Sequence, residues 1–443
     1  MGSFQGTISR RTVLQWAALT AAAPMWWSLS GCATNPVTGE SELMLVSQEQ
    51  EIRLDREKSP HQISADYGRV QNQRVQRYVA DVGQDVATRT HRPDMPYRFT
   101  GVNAVYANAY AFPGGTVALT RGMLLELENE AELAALLAHE VGHVNARHTA
   151  ARMSTGMLVQ GLLGGAGALV SSAGNEASAE ALMQLGGLGA GALLAKYSRD
   201  DERQADALGM EYMVRAGYNP RGMVGLMDVL RGMSQRKPNV IEQMFSSHPM
   251  SEDRYRTATQ RLQTQYSQAR GLKLGRERYL DNMASIRAMQ GPIEAMQEGQ
   301  ESLGAQKTEQ ARAAFQQALA AAPDDYAALV MMGQCQLKME KPREAQRYFH
   351  AARNVVPQEP QAAHFLGLAL LAREKYDPAY EQFLWYEEQL PGNPNTLFLQ
   401  GLALEGAQRR QRAAEAYTRF LQTGAGGEQA QYAQKRLQAW GYL

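Results

Sequence analysis

The stretch of this chain best suited to metal binding and catalysis holds two histidines four residues apart, with a glutamate directly after the first. His139, Glu140 and His143 lie where apolar residues recur at helical spacing, and Asn129 with Glu132 forms a capping-box pattern at the start. Because residues four apart share one face of a helix, both imidazoles can reach one point, as two ligands of a tetrahedral zinc must. Glu140 would lie beside that metal, where a carboxylate can take a proton from the attacking water.

An acidic pair, also four residues apart, can supply the rest of such a site. A catalytic zinc usually has three protein ligands, and Glu202 and Asp206 would share one face of a second helix. Glu202 can complete the ligand set. Asp206 can accept a hydrogen bond from the far nitrogen of a ligating histidine, which fixes the tautomer and ring orientation. The alternative is the solvated, charged start of a helix, and the pair by itself favours neither interpretation.

Three motifs in this order resemble a known family. H-E-x-x-H, then S-R-x-x-E-x-x-A-D at 198–206, then Ser247-His248-Pro249 with Arg254 is the pattern of the gluzincin group of zinc metallopeptidases, which includes HtpX and the CAAX prenyl protease. The resemblance covers roughly residues 35–270 and is nearest to the periplasmic BepA-like members. It implies one Zn²⁺, held by His139, His143 and Glu202.

The loop histidine His248 has two functional interpretations. It can stabilise the oxyanion of the reaction, or it can occupy the fourth zinc position and hold the enzyme latent, as the resemblance suggests. The alternative is a loop histidine without a role. We expect Arg254 to anchor this loop by pairing with a carboxylate. His148 is not needed as a ligand, and we expect it at a solvated helix end.

A strand precedes the zinc-binding helix. Its β-branched and apolar residues alternate at Thr116, Val117, Ala118 and Leu119. In zinc proteases of this kind the strand before the active-site helix is the sheet edge against which substrate lies. An extended peptide can pair its backbone with such an edge, largely independently of sequence. Plain sheet structure is the alternative, and both can hold.

The first 31 residues predict export and lipid attachment. Ser9-Arg10-Arg11 resembles a twin-arginine signal, and Leu29-Ser30-Gly31-Cys32 resembles a lipobox that would leave Cys32 diacylated. A membrane helix is the alternative, but polar residues interrupt the apolar run. Ala33 after the cysteine indicates the inner leaflet of the outer membrane.

A segment rich in Gly, Ala, Leu and Met lies at 153–194. We expect two amphipathic helices joined by a mobile loop, packed over the active site or against the membrane. The apolar runs are too short and too polar for membrane spans. The chain as a whole has 45 basic and 45 acidic residues and no basic block, so electrostatics do not favour nucleic acid as a partner.

The tail is periodic with a step of 34 residues, which is the tetratricopeptide signature. The repeating positions are glycines 299, 333, 367 and 401, alanines 311, 345, 379 and 413, and the aromatics Phe315, Phe349, Phe383 and Tyr417. The units run over about 291–324, 325–358, 359–392 and 393–424, and 429–440 forms a closing helix. Such stacks present a concave surface to a protein partner.

Together these features predict a mainly α protein in four parts. An export signal at 1–31 and a lipid-anchored tether at 32–46 precede an α+β zincin-type metallopeptidase domain with a small sheet at 47–275, and an all-α tetratricopeptide solenoid follows at 291–443. By resemblance, the protein would be a periplasmic endopeptidase that degrades unfolded or misassembled outer-membrane proteins. The repeats would recruit substrate or the β-barrel assembly machinery. The alternative function is a chaperone or adaptor for the same assembly, with the protease mostly silent.

Overall fold

The computed structural model describes residues 32–156 and 196–443. The predicted export signal at 1–31 and most of the glycine-rich segment, from 157 onwards, lie outside the described residues. Within the described ranges, no helix combines the length and apolarity that a membrane span requires.

The predicted tether is partly ordered. Strands β1 (Cys32–Thr34) and β2 (Ser41–Leu43) form an antiparallel hairpin, and the Asn35 side chain accepts the Val37 N–H in its turn. Helix α1 (Gln48–Ala65) follows, and it begins with a capping box between Ser47 and Gln50. Met44 and Val46, between hairpin and helix, are buried against the helical segment that begins at residue 148.

Helix α2 (Gln73–Ala87) packs against a three-stranded sheet. Its strands are β3 (Arg98–Val102), β4 (Ala109–Ala111) and β5 (Thr116–Thr120), in the order β3-β5-β4. β3 runs parallel to β5 and β4 runs antiparallel to it.

This strand order corrects the expectation that Thr116, Val117, Ala118 and Leu119 form an edge. These residues lie in β5, which has a hydrogen-bonded strand on each side and so cannot accept a substrate strand. The edge that faces the candidate site is β4.

The helix with the two histidines is the centre of residues 47–275, the predicted peptidase domain (the peptidase half). It follows the short helix α3 (Arg121–Glu126) and is α4 (Glu130–Asn145). Asn129 caps it as predicted, by accepting the Glu132 N–H, but the Glu132 carboxylate accepts the Glu128 N–H instead of closing the capping box. Every residue of α4 is buried, so the helix has no solvent face, and the apolar stripe in the sequence is part of a fully packed surface.

Four further helices complete this region: α5 (Arg199–Arg215), α6 (Arg221–Arg236), α7 (Pro238–Ser247) and α8 (Glu252–Gln263). Helices α5 and α6 pack against α4, while α7 packs against α6, and α8 against α5 and α6. Ser198 and Asp201 form a capping box that fixes the start of α5. Glycines allow close approach of α4 and α5. A Cβ at Gly142 would lie 3.0 Å from the Ala205 carbonyl oxygen, and one at Gly209 would lie 3.1 Å from the His139 nitrogen.

The second half of the chain is entirely helical. After the 3₁₀ turn Ser267–Gly271 and the short helices α9 (Arg276–Asn282) and α10 (Ala284–Ala288), helices pair in sequence order. The pairs are α11 (Gln290–Gly304) with α12 (Thr308–Ala321), α13 (Tyr326–Lys338) with α14 (Pro342–Val355), α15 (Gln361–Leu371) with α16 (Tyr376–Gln389), and α17 (Pro394–Gly406) with α18 (Arg410–Gln422); α19 (Gly427–Trp440) ends the stack. A small sheet within a mainly helical peptidase half, followed by this solenoid, confirms the predicted fold class.

The repeating glycine and aromatic residues of the sequence meet within each helix pair. A Cβ at Gly333 would lie 2.4 Å from the Phe349 ring, and the glycines of the other three pairs contact their own aromatic in the same way. All four aromatic rings are fully buried. Each 34-residue unit therefore corresponds to one helix pair, and where the two helices cross, an aromatic ring occupies the space left by a glycine.

The peptidase half and the first three repeats share one continuous apolar core, and most of the last helix pair forms a separate cluster with α19. Polar contacts reinforce this junction, notably a buried ion pair between Arg121 at the start of α3 and Asp325 at the start of α13. The Gln297 side chain donates to the Val105 carbonyl, and Ser64 at the end of α1 hydrogen-bonds Glu359.

Candidate metal centre

Four side chains from three parts of the chain bring their donor atoms together in the peptidase half. His139 and His143 come from α4, Glu202 from the first turn of α5 and His248 from the loop between α7 and α8, and all four are buried. The Nε2 atoms of His139 and His143 are 3.2 Å apart. Glu202 Oε1 is 3.3 Å from His143 Nε2 and 2.9 Å from His248 Nδ1.

These spacings fit a tetrahedral zinc ion. With metal–ligand distances of about 2.0 Å, tetrahedral donors lie about 3.3 Å apart. Donor contacts within the cluster measure 2.9 to 3.7 Å, and one donor atom from each of the four residues lies within 4.8 Å of all the others. The donor set of imidazole nitrogens and a carboxylate oxygen is also one that zinc prefers. The predicted ligands His139, His143 and Glu202 are thus brought together, and His248 supplies a fourth donor.

Glu140 points into the same region but has no hydrogen-bond partner. It is 0% exposed, and neither carboxylate oxygen forms a hydrogen bond with another described residue. The Nε2 atom of His248 lies 3.6 Å from Glu140 Oε1. Because a buried, unpaired carboxylate is costly, its retention beside the donor cluster fits a group that acts on water and substrate next to a cation.

The outer side of His139 is held by a charged network. Its Nδ1 lies 3.0 Å from Asp206 Oδ1, and Arg254 pairs with both Asp206 oxygens at 2.7 and 2.8 Å. Arg254 also contacts Glu202 at 2.6 Å and donates to the Pro249 carbonyl, so it ties the His248 loop to α5. Burial raises the pKa of Asp206, but the Arg254 guanidinium outweighs burial and holds the pKa below its usual range.

The outer side of His143 is held by a second histidine, contrary to the expectation of a solvated His148. His148 is buried, and its Nδ1 lies 2.9 Å from His143 Nδ1. Its Nε2 lies 2.8 Å from Gln204 Oε1 on α5. Burial lowers the pKa of both histidines, which favours neutral rings. The sequence hid this contact because His148 follows a two-residue break after α4 and so does not continue the helical face of His143.

Tyr197 is a site residue that the sequence analysis did not single out. Its ring stacks on His143 with centroids 3.8 Å apart, and its N–H donates to the Ser247 carbonyl. Burial raises the pKa of Tyr197 to about 12, so its hydroxyl stays protonated at neutral pH. Its position directly before the Ser198 cap was the available signal, because the cap fixes where the residue before α5 must lie.

The edge strand β4 runs past this cluster and, among the described residues, pairs with a strand on one side only. The Phe112 N–H donates to the Thr116 carbonyl and the Thr120 N–H to the Asn108 carbonyl, and these bonds flank the β4–β5 pairs. Antiparallel pairing alternates, so Ala109 and Ala111 direct their backbone groups away from β5.

The centre is closed in this conformation. The cavity between β4 and His248 measures about 80 Å³ and is lined by residues that include Asn108, Tyr110 and Ser247. Ligand sites usually measure at least about 300 Å³, so the described residues leave little room for a peptide beside His248. A larger cavity of about 720 Å³ lies elsewhere, between β3 and the repeats.

A sheet edge beside a helix that carries two histidines and the catalytic-type glutamate, with a third candidate ligand from α5, defines a zincin-type metallopeptidase domain. Residues 73–262 match the family model described as peptidase family M48, and residues 302–382 match one described as tetratricopeptide repeat. The chain therefore carries a peptidase family M48 domain followed by tetratricopeptide repeats, which confirms the resemblance seen in the sequence.

Two curated relatives illustrate the similarity. The chain is 32% identical to the beta-barrel assembly-enhancing protease of Yersinia pestis over 190 residues, which are 42% of this chain and 38% of that protein. It is 33% identical to metalloprotease YcaL of Escherichia coli (strain K12) over 147 residues, 33% of this chain and 55% of that protein. The chain thus spans well under two thirds of the length of either relative.

Among solved structures, the crystal structure of YrrB, a tetratricopeptide repeat protein, is similar with 17% sequence identity and a TM-score of 0.32. The match covers 47% of this chain and 99% of that one.

Proposed function

We propose that this protein is a zinc endopeptidase of the bacterial envelope. The observation that carries the proposal is the donor cluster at tetrahedral zinc spacing with a buried, unpaired Glu140 beside it. His139, His143 and Glu202 would hold the metal. When bound, zinc supplies a positive charge that polarises the scissile carbonyl.

The side chains divide the remaining work. Glu140 takes the proton of the attacking water and passes it to the departing amine, and burial keeps competing solvent away from its carboxylate. Asp206 orients His139 through Nδ1, and Arg254 keeps Asp206 ionised. The free edge of β4 at Ala109 and Ala111 pairs with the backbone of an extended substrate, so cleavage depends on an unfolded segment more than on a particular sequence.

His248 makes the enzyme latent in this proposal. Its Nδ1 lies 2.9 Å from Glu202 Oε1 and 3.5 Å from His139 Nε2, within the donor cluster and not at a distance from it. There it would occupy the fourth ligand position, and its loop closes the path from β4 to the metal. Displacement of the loop would open the site, and His248 could then stabilise the oxyanion.

The envelope location and the substrates rest on the sequence and the relatives. Cys32 would carry the lipid after export through the twin-arginine-like signal and anchor the protein to the inner leaflet of the outer membrane. The Yersinia relative is named for enhancement of β-barrel assembly, which supports misassembled outer-membrane proteins as substrates. The repeats would recruit these substrates or the β-barrel assembly machinery.

A chaperone or adaptor is the second candidate, and the closed site favours it. A protein whose metal centre is sealed most of the time could act mainly through its repeat surface, with the peptidase mostly silent. A Glu140→Gln variant separates the two functions. It should restore the phenotype of a deletion strain if the chaperone function dominates, and fail to restore it if catalysis is required.

The direct test uses the mature chain from residue 32, made with Cys32→Ser so that it carries no lipid. Zinc is quantified and cleavage of an unfolded protein is followed for wild type, Glu140→Gln and His248→Ala. We expect one zinc per chain in all three, slow or no cleavage by wild type, faster cleavage by His248→Ala and none by Glu140→Gln. Zinc binding without cleavage by any form would refute the peptidase and favour the chaperone.

A further inference from the structure

The contact between His143 and His148 is unusual because both partners present the same ring nitrogen. Two Nδ1 atoms 2.9 Å apart can form a hydrogen bond only if one of them carries a proton and the other offers a lone pair. The remaining contacts of the two rings decide which nitrogen is the donor.

The proton belongs on His143. Its Nε2 faces the donor cluster, 3.3 Å from Glu202 Oε1 and 3.2 Å from His139 Nε2, and a nitrogen that ligates zinc cannot carry hydrogen. The ring proton is then on Nδ1 and is donated to His148. His148 must accept through Nδ1 and carry its own proton on Nε2. That nitrogen lies 2.8 Å from the side-chain amide oxygen Oε1 of Gln204, with the Asp201 carboxylate at 3.6 Å.

Every donor in this chain of contacts therefore meets an acceptor. The chain runs from His143 through His148 to Gln204, so it joins the end of α4 to the turn of α5 that bears Glu202. The two proposed zinc ligands on α4 are supported differently: His139 lies against a carboxylate that pairs with Arg254, while His143 lies against an imidazole.

We propose that His148 is a positioning residue for the metal centre. It holds His143 in the tautomer with Nδ1 protonated, fixes the plane of its ring, and keeps the two ligand-bearing helices in register through Gln204. The proposal rests on the zinc site of the proposed function, but it concerns metal binding and not cleavage. Outer partners of ligating histidines typically contribute about 10- to 100-fold to metal affinity.

The test compares two replacements of His148 in the mature chain. The Oδ1 of asparagine lies near where Nδ1 of histidine lies, so His148→Asn retains the acceptor. Leucine has a comparable volume and no acceptor, so His148→Leu removes it. Zinc dissociation constants are measured by competition with a chromophoric chelator, and circular dichroism with thermal melting establishes that each variant is folded. His364→Leu, at a half-buried histidine that packs on Phe383 in the repeats, controls for loss of a histidine elsewhere.

We expect His148→Leu to bind zinc 10- to 100-fold more weakly than wild type, and His148→Asn and His364→Leu to stay within about threefold. In nitrogen-15 NMR of the zinc-loaded chain, we expect a slowly exchanging Nδ1 proton on His143 in wild type. This signal should persist in His148→Asn and disappear in His148→Leu. Folded His148→Leu with wild-type zinc affinity would overturn the proposal, as would equal weakening by both replacements. Absence of cleavage by any form would leave these affinities unchanged and would count only against the peptidase.

Discussion

The ion pair between Arg121 and Asp325 joins the peptidase half to the repeats, and its removal should lower the free energy of unfolding. The two side chains are 5% and 9% exposed, and the guanidinium contacts both carboxylate oxygens, at 2.5 and 3.1 Å. Replacement of one partner leaves the other buried and uncompensated. Measured costs of breaking such pairs are about 3–5 kcal/mol.

The magnitude for Asp325 has two parts. Asp325 also caps α13 by accepting the Ala328 N–H at 2.9 Å, and loss of a cap costs about 1 kcal/mol. Asp325→Ala removes both interactions, so we expect a loss of about 4–6 kcal/mol in the free energy of unfolding. Asp325→Asn keeps the cap and a partial acceptor for Arg121, so we expect about 2–4 kcal/mol.

The assay is urea denaturation at pH 7, followed by circular dichroism and tryptophan fluorescence. Arg121→Met and the double variant Arg121→Met with Asp325→Asn complete a double-mutant cycle, in which the double variant should cost clearly less than the sum of its parts. Glu344→Ala is the control, because Glu344 pairs with Arg347 on an exposed face and should change stability by less than about 1 kcal/mol.

The same pair predicts a pH dependence. Burial raises the pKa of Asp325, but the Arg121 guanidinium and backbone N–H donors outweigh burial and hold the pKa below its usual 3.8. A carboxyl group with a lowered native pKa stabilises the fold above the pKa of the unfolded chain and loses that contribution as pH falls through the native pKa. The gap between wild type and Asp325→Asn should therefore be complete at pH 6 and narrow below pH 4. Single variants that cost less than 1 kcal/mol and add without coupling would refute the reasoning.

Three further predictions follow from other parts of the structure. Gly222→Ala should destabilise the fold by about 1–3 kcal/mol, because the new Cβ would lie 2.2 Å from the Ala131 carbonyl oxygen. The control is Gly304→Ala, whose Cβ would meet open space in a helix, so this variant should be neutral or slightly stabilising. Thermal melts compare the two variants. Glu340→Gly should stabilise by about 0.5–1 kcal/mol in urea denaturation, because Glu340 has a φ of 58° in the turn between repeat helices; a loss of stability would show that its side chain contributes more than the strain costs. His248→Ala should raise the rate of cleavage of an unfolded protein with zinc content unchanged, and a rate at or below wild type would count against latency.

Much of the candidate site can be predicted from the spacing of residues along the chain. The period of the α-helix is fixed by its backbone hydrogen bonds, so residues four apart must share a face wherever the helix lies. The pairs His139 with His143 and Glu202 with Asp206 could therefore be assigned to common faces before any fold was known. The 34-residue period of the tail is equally local, since each helix pair repeats the same glycine–aromatic crossing.

Strand order could not be read in the same way. Alternation along Thr116–Thr120 reports that the strand is extended and packed, but a central and an edge strand can show the same pattern. Only pairing with β3 on one side and β4 on the other decides that β5 is central, and those partners come from separate segments of the chain.

The outer support of the metal centre was decided by tertiary packing alone. His148 follows α4 after a break in the helix, and nothing in its neighbours along the chain distinguishes a solvated helix end from a buried partner of His143. The packing of α5 over this point places Gln204 against its ring and Tyr197 against His143. The sequence by itself determined which residues can bind zinc, because zinc binding depends on residue type and on the helical period. The tertiary structure decided which residues support these ligands and which loop covers the site, because the supporting and covering contacts join segments about 50 to 110 residues apart.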